Sequence, residues 1–212
     1  MRKRLQALAL ATAAFALPAG AAEIVPLSYS FDQPTSCGSY CYHDETGRQL
    51  IDGAYGVEGW AVNLGNGNAY EWVGWVYRPV VHIDFDLGAA HAIGSISIGT
   101  TQDAVNDVVL PSIDISYWNG SSFVLLQSLN VPESSANDRP VFSLLPHGFL
   151  TLSGLATTAQ QWRVTARFSA DGPWTFIDEV DFYGAPIPEP STYALMALGL
   201  AAVGGLARRR RG

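Results

Sequence analysis

A glycine-rich loop holds the residues best suited to metal chemistry. Segment 52–59 carries two carboxylates, Asp52 and Glu58, among three glycines. Hard cations such as Ca²⁺ take carboxylate and carbonyl oxygens, often from a tight loop in which glycine lets the backbone fold round the ion. The segment therefore predicts a structural calcium site. The alternative is a glycine-rich turn with solvated carboxylates.

Aromatic side chains crowd between residues 60 and 77, and Trp174 follows later in the chain. Sugar rings present apolar C–H faces, so sugar sites pair an aromatic platform with side chains that bond hydroxyl groups. This mixture predicts a glycan site formed by Asn66, Asn68, Trp72, Trp75, Arg78 and Trp174. Segment 65–68 is its predicted exposed loop. For each tryptophan, packing in the core is the alternative.

The two cysteines, Cys37 and Cys41, lie four residues apart. In an oxidising compartment, two lone cysteines this close are expected to form a small-loop disulfide. A redox or zinc role needs a Cys-x-x-Cys pair or further ligands, and the sequence has neither. We therefore predict a disulfide that stabilises a local loop.

Catalytic motifs are missing from the sequence. It contains no Gly-x-Ser-x-Gly, no His-Glu-x-x-His and no phosphate-binding glycine loop, and its histidines are scattered. Two groups of carboxylates, Asp84 with Asp86 and Asp178 with Glu179 and Asp181, suggest the acid and base of a glycosidase. Those residues must flank a substrate cleft, so a solvated acidic sheet face is the preferred interpretation. The chain is predicted not to be an enzyme.

The elements that position these residues are predicted strands. Apolar and polar residues alternate with period two in several windows, as expected for half-buried strands. Asn119-Gly120 predicts a type I′ hairpin turn. We find no convincing helical stripe between the chain ends. The predicted fold is an all-β antiparallel sandwich of two sheets, and the windows are 27–32, 81–87, 96–98, 113–118, 123–126, 162–168 and 176–182.

The charge of the central segment limits its partners. The whole chain has a formal charge of −7, but seven of its 12 basic residues lie at the two ends. Segment 23–187 keeps five arginines against 18 carboxylates, which gives −13 without any lysine. Such a surface repels phosphate, so nucleic acid is excluded as a partner.

The N-terminus has the three parts of a secretory signal peptide. A basic head is followed by an apolar run from Leu5 to Leu17, and small residues precede Glu23. We predict a signal peptide over 1–22, removed by signal peptidase, and one exported domain over 23–185. An oxidising destination agrees with the predicted disulfide.

The C-terminus combines a Pro-Glu-Pro motif, an apolar helix and an arginine cluster within 186–212. The motif is Pro188, Glu189 and Pro190, and the stop-transfer cluster is Arg208, Arg209, Arg210 and Arg211. In this order the three parts resemble the PEP-CTERM sorting signal of Gram-negative bacteria that make extracellular polysaccharide. The resemblance implies processing by an exosortase. It also implies a membrane anchor through the short C-terminal transmembrane helix, followed by release to the cell surface or the extracellular matrix.

The central domain resembles the discoidin or coagulation-factor C-type domain, within the galactose-binding-like jelly rolls. The motifs that carry the resemblance occur in order at 50–53, 72–75, 81–88, 113–123 and 177–184. Bacterial carbohydrate-binding relatives hold a structural Ca²⁺ between an Asp-Gly loop and a glutamate of the last strand. Carried over by position, the resemblance implies ligands at Asp52 and Glu179, with carbonyls from Leu50 and Tyr55. Glu58 is added as the second carboxylate of the loop, although the family usually has Thr or Ser near that position.

These observations predict an exported, non-catalytic protein that binds glycan or serves as a structural component of an exopolysaccharide biofilm. A strongly acidic domain favours a neutral glycan, or an acidic one bridged by calcium. The alternatives are an enzyme acting on polysaccharide and an adhesin whose partner is another protein.

Overall fold

The chain folds into antiparallel strands. The computed structural model describes residues 21–36, 41–56, 71–102, 108–130, 147–168, 174–184 and 198–199. The strands within these ranges are β1 (Ser28–Phe31), β2 (Val73–Val76), β3 (Val80–Thr100), β4 (Ser112–Trp118), β5 (Phe123–Leu129), β6 (Gly148–Arg167) and β7 (Trp174–Gly184). They belong to one compact unit, Ala21–Ala185.

Two long strands connect the layers of a sandwich. The hydrogen-bonded order is β2-β7-β3-β6-β4-β5, and β1 pairs with β3. The first half of β3 pairs with β1 and with the end of β6, whereas its second half pairs with β7 and with the start of β6. Register shifts separate the halves, and Gly88 and Gly154 adopt positive φ angles near the bends. Glycine tolerates this backbone conformation because it lacks a Cβ atom.

The core lies between the layers. Phe85 of β3 and Trp162 of β6 both contact Phe182 of β7, at ring-centroid distances of 5.2 and 6.4 Å. In β3 the apolar residues of the alternating pattern are buried, while the intervening polar ones are partly exposed. The predicted all-β antiparallel sandwich is confirmed.

The layer formed by β2, β7, the second half of β3 and the first half of β6, called the second layer below, contains strands that the alternation of apolar and polar residues did not predict. The first half of β6 and all of β2 escaped the sequence analysis. In β7, Asp178, Glu179 and Asp181 are buried, so the predicted solvated acidic face is wrong for these three. A strand paired on both edges and covered on both faces has no solvated side.

Two local predictions are also corrected. Leu27, predicted to face the core, is 66% exposed and precedes β1. The β4–β5 hairpin forms as expected, but φ is positive at Gly120 and not at Asn119, so the turn is not type I′. Instead, the Asn119 side-chain oxygen accepts hydrogen bonds from the backbone N–H groups of Ser121 and Ser122. This Asx-type arrangement closes a four-residue loop.

The chain termini lie largely outside the described residues. Within the terminal segments 1–20 and 186–212, the structure describes residues 198 and 199, and both are helical. In the described part of the chain, no helix has the length and apolar character needed to cross a bilayer. The structure therefore does not describe the Pro188-Glu189-Pro190 motif or the cluster Arg208–Arg211, and the signal peptide and the transmembrane helix stay sequence predictions.

Candidate functional site

The loop before β2 packs against the buried carboxylates of β7. The Gly53 N–H donates to Glu179 Oε2 at 3.0 Å, and the Gly56 N–H donates to Asp178 Oδ2 at 2.7 Å. The Tyr55 hydroxyl donates to both oxygens of Asp181, at 3.1 and 3.2 Å. Backbone and phenol donors thus tie the loop to the strand at three carboxylates.

Burial changes the acidity of this cluster. Desolvation, reinforced by Asp181, Asp52 and Asp178, raises the pKa of Glu179 to about 8, despite the opposing hydrogen bond from Gly53. Desolvation also raises the pKa of Asp181 above its usual value. A buried carboxylate with a raised pKa gains most from a cation, because the cation restores its ionised form.

The predicted calcium ligands lie on adjacent segments. Leu50 accepts a hydrogen bond from the Val180 N–H at 2.9 Å, which joins its backbone to the residue after Glu179. Asp52 is exposed, and its Oδ1 accepts the Ala54 N–H at 2.9 Å. Glu58 lies outside the described residues, among which no three His, Cys, Asp or Glu side chains form a metal cluster. The donors present are oxygens, and Asp178 Oδ1 is buried with no hydrogen-bond partner among the described residues. This donor set fits a hard cation such as Ca²⁺.

A histidine lies beside the same cluster. His147 Nε2 is 2.8 Å from Asp178 Oδ2, and its ring packs between Tyr55 and Phe149. A Cβ atom on Gly99 would lie 1.9 Å from Asp178 Oδ1, so only glycine fits at that position. Sequence analysis assigned no role to His147, because its proximity to Asp178 depends on the pairing of β3 with both β6 and β7.

The predicted aromatic platform is wrong for two tryptophans. Trp72 and Trp75 are both 0% exposed, so neither ring face can meet a sugar. Trp72 fills the space that the missing side chain of Gly56 leaves, where a Cβ atom would come within 2.2 Å of the indole. Trp75 donates from Nε1 to the Gln33 carbonyl and packs edge-on against Phe31.

The remaining residues of that prediction are scattered. Trp174 is partly buried and stacks on Phe176 at 5.3 Å. Arg78 is exposed in the turn between β2 and β3, beside Tyr77, which is 80% exposed at a φ of 51°. Asn66 and Asn68 lie outside the described residues.

The predicted disulfide concerns two cysteines. Cys41 is disulfide-bonded, and Cys37, the other cysteine of the chain, lies outside the described residues.

A different part of the molecule carries an open cavity. It measures about 340 Å³ and lies on the outer face of the layer that contains β1, β4 and β5, over β1, the first half of β3, the second half of β6 and the end of the β4–β5 hairpin. Trp118, 37% exposed, packs edge-on against Phe123 at 5.2 Å and forms an aromatic wall. The lining residues are Ser28, Tyr29, Ser30, Asp84, Phe85, Asp86, Trp118, Phe123 and Gln161.

Strand register brings the polar lining together. Ser28, Asp86 and Gln161 stand side by side on β1, β3 and β6. One row away, Ser30 pairs with Asp84, which pairs with Arg163. Side chains directly opposite on neighbouring antiparallel strands lie about 5 Å apart. The rows therefore present hydroxyl, carboxylate and amide groups to one cavity.

An ion pair fixes the edge of this cavity. Arg163 donates from Nε to Asp84 Oδ1 at 2.6 Å and from a terminal nitrogen to Oδ2 at 2.7 Å. Its guanidinium carbon lies 4.0 Å from the centroid of the Phe123 ring. The bidentate pair and the cation–π contact hold both lining residues in place.

Sequence analysis missed this cavity, although one signal was available. Trp118 occupies a polar position of the alternating pattern in β4, where an aromatic residue is expected to face solvent. Its distance in sequence from Asp84 and Asp86 concealed their proximity, because only the strand order β3-β6-β4 brings them together.

One comparison concerns the tail. Residues 186–211 match the PEP-CTERM protein-sorting motif. This motif indicates export and sorting to the surface, and it implies processing by an exosortase. No curated protein matches the sequence.

Solved structures resemble the domain. The C-terminal domain of a chitobiase from Bacteroides fragilis aligns with a TM-score of 0.51 and 13% identity, over 79% of this chain and 100% of that one. The family 32 carbohydrate-binding module of AlyQ, solved with 4,5-unsaturated mannuronic acid, gives 0.49 and 17%, over 77% and 99%. The family 32 module of NanJ from Clostridium perfringens, solved with galactose, gives 0.46 and 17%, over 76% and 97%. At 13% identity the likeness to the chitobiase domain shows the fold alone, an antiparallel β-sandwich.

Proposed function

We propose that this protein is an exported, non-catalytic glycan-binding domain that acts at the cell surface or in an exopolysaccharide matrix. The observation that carries the proposal is the cavity on the outer sheet face, with Trp118 as its aromatic wall. A sugar ring packs its C–H face on an indole, while carboxylate, amide and hydroxyl groups bond its hydroxyls. The sorting motif supports the location.

Calcium belongs to the proposal as a structural ion. The residues that would hold it are Leu50, Asp52 and Tyr55 of the loop, Glu179 of β7, and Glu58, which lies outside the described residues. An ion there would compensate the buried charge of Glu179 and fix the loop, without touching the sheet-face cavity.

Glycan binding by single-residue variants tests the proposed site. The full-length protein is applied to a glycan array, and any bound glycan is titrated against Trp118→Ala. We expect roughly fivefold weaker binding, because a lost aromatic contact costs about 1 kcal/mol. The control is Tyr77→Ala, which removes an exposed aromatic outside the cavity and should leave binding unchanged. Loss of binding in Arg78→Ala but not in Trp118→Ala would instead support the loop site of Arg78, Asn66 and Asn68.

Two other functions have separate outcomes. Release of reducing sugar from extracellular polysaccharide would support an enzyme. Saturable capture of a protein partner, without glycan binding, would support an adhesin. Either result in the absence of glycan binding would contradict our proposal.

A further inference from the structure

We propose that the sheet-face cavity selects glycans that carry protonated amino groups, such as unacetylated hexosamine units. This inference rests on the proposed function, because it names the ligand class of the same cavity. Three features support it: the sign of the charges in the lining, the lack of a cationic partner for Asp86 among the described residues, and the exposed indole of Trp118.

The charged side chains in the lining are both carboxylates, those of Asp84 and Asp86. Arg163 compensates one of them, because both of its hydrogen-bonding nitrogens reach Asp84. A ligand carboxylate in the cavity would therefore face an occupied guanidinium and a second carboxylate. Uronic acids are disfavoured by this arrangement.

Asp86 lacks a cationic partner among the described residues. Its Oδ1 accepts the Gly88 N–H at 2.8 Å and the Gln160 side-chain amide at 2.9 Å. Both donors are neutral, and in the described ranges of the chain Asp86 forms no ion pair. An ammonium group on the ligand supplies the missing counter-charge.

Trp118 favours the same ligand. A cation within about 6 Å of an indole centroid is attracted by the electron density of the ring face, and tryptophan binds cations best among the aromatic residues. The neighbouring Phe123 already accepts such a contact from Arg163, at 4.0 Å. An amino sugar can pack its C–H face on Trp118 and direct its ammonium group toward Asp86.

Isothermal titration of the full-length protein tests the selection. The probes are a glucosamine oligosaccharide, its N-acetylated counterpart and a glucose oligosaccharide of equal length and linkage. The titration is run near pH 6, where carboxyl groups are ionised and amines are protonated. We expect the glucosamine probe to bind about tenfold more tightly than the other two, with an affinity that falls as salt is added.

In Asp86→Asn the glucosamine probe should bind no more tightly than the other two probes. The amide oxygen still accepts the hydrogen bonds from Gly88 and Gln160, but the side chain carries no charge. Trp118→Ala should weaken binding of the glucosamine probe, and Glu45→Gln, which removes an exposed charge outside the cavity, should change nothing. Equal binding of the three probes to the unaltered protein, or an unchanged preference in Asp86→Asn, would overturn the inference and leave the proposed function standing. Glycan binding that Trp118→Ala does not affect would overturn both.

Discussion

The pKa of the Glu179 carboxyl group is set by its buried surroundings. Its side chain is buried, and its pKa of about 8 lies well above the ordinary value of 4.5. Because the folded state holds a proton that the unfolded state releases, folding takes up a proton between these two values. The stability that this proton contributes is full below about pH 4.5 and is lost as the pH rises through about 8.

We predict that the free energy of unfolding in chelator falls by on the order of 3 kcal/mol between pH 5 and pH 8. Chemical denaturation at a series of pH values measures it. Glu179→Gln should flatten the profile, because a neutral amide has no proton to lose. Glu45→Gln, at an exposed position, should keep the slope of the unaltered protein.

Calcium should reverse this loss, because it stabilises the ionised carboxylate. The melting temperature at pH 8 should rise when Ca²⁺ replaces the chelator, and Glu179→Gln should abolish the rise. If calcium and chelator give the same melting temperature in the unaltered protein, no structural ion binds.

Among the elements, the β4–β5 hairpin carries the two aromatic residues of the sheet-face cavity. It presents Trp118 and Phe123 at its end, and one side chain, Asn119, closes its loop. The two strands pair at the edge of the sheet, since β5 has β4 as its neighbour in the strand order. The positions of Trp118 and Phe123 therefore depend on the hydrogen bonds that close this loop.

We predict that Asn119→Ala lowers the melting temperature by about 3 °C, because the loop loses acceptors worth about 1 kcal/mol. Thermal unfolding followed by circular dichroism measures this change, and glycan titration should show weaker binding. Asn119→Asp keeps the accepting oxygen and should behave like the unaltered protein. Equal losses in both variants would mean that the side-chain oxygen does not hold the hairpin.

For the whole molecule, the sorting motif at 186–211 indicates export and sorting to the surface. Segment 23–187 carries a formal charge of −13, and a large net charge of one sign keeps a protein soluble. It also attracts cations, which agrees with both a calcium site and a cationic glycan.

We predict that replacing Pro188, Glu189 and Pro190 with alanine blocks processing and keeps the chain in the membrane fraction. Fractionation and intact-mass measurement in the native host would detect the larger, retained form. Replacing Ser191 and Thr192, which follow the motif, should leave processing unchanged. Normal release of the triple variant would show that another feature of the tail directs sorting.

Local patterns in the sequence were sufficient for some features. The alternation in 81–87 and 162–168 identified strands, because a half-buried strand must place apolar side chains on one face. The sorting motif was also recognisable, since it depends on the order of residues within one short segment. The hairpin at 119–122 was predicted, but its turn type depended on side-chain hydrogen bonds that the dipeptide alone does not specify.

The tertiary structure decided which of these residues meet. Burial of Trp72 and Trp75 follows from packing against Gly56 and Phe31, and burial of Asp178 and Glu179 follows from the central place of β7 in its layer. The cavity with Trp118 joins residues far apart in the chain. The sequence by itself determined the strands with alternating apolar and polar residues, the acidic charge and the sorting tail, because these depend on residue type and local order. Only the tertiary structure decided where the sheet-face cavity lies and which aromatic residue it exposes, because strand pairing sets both.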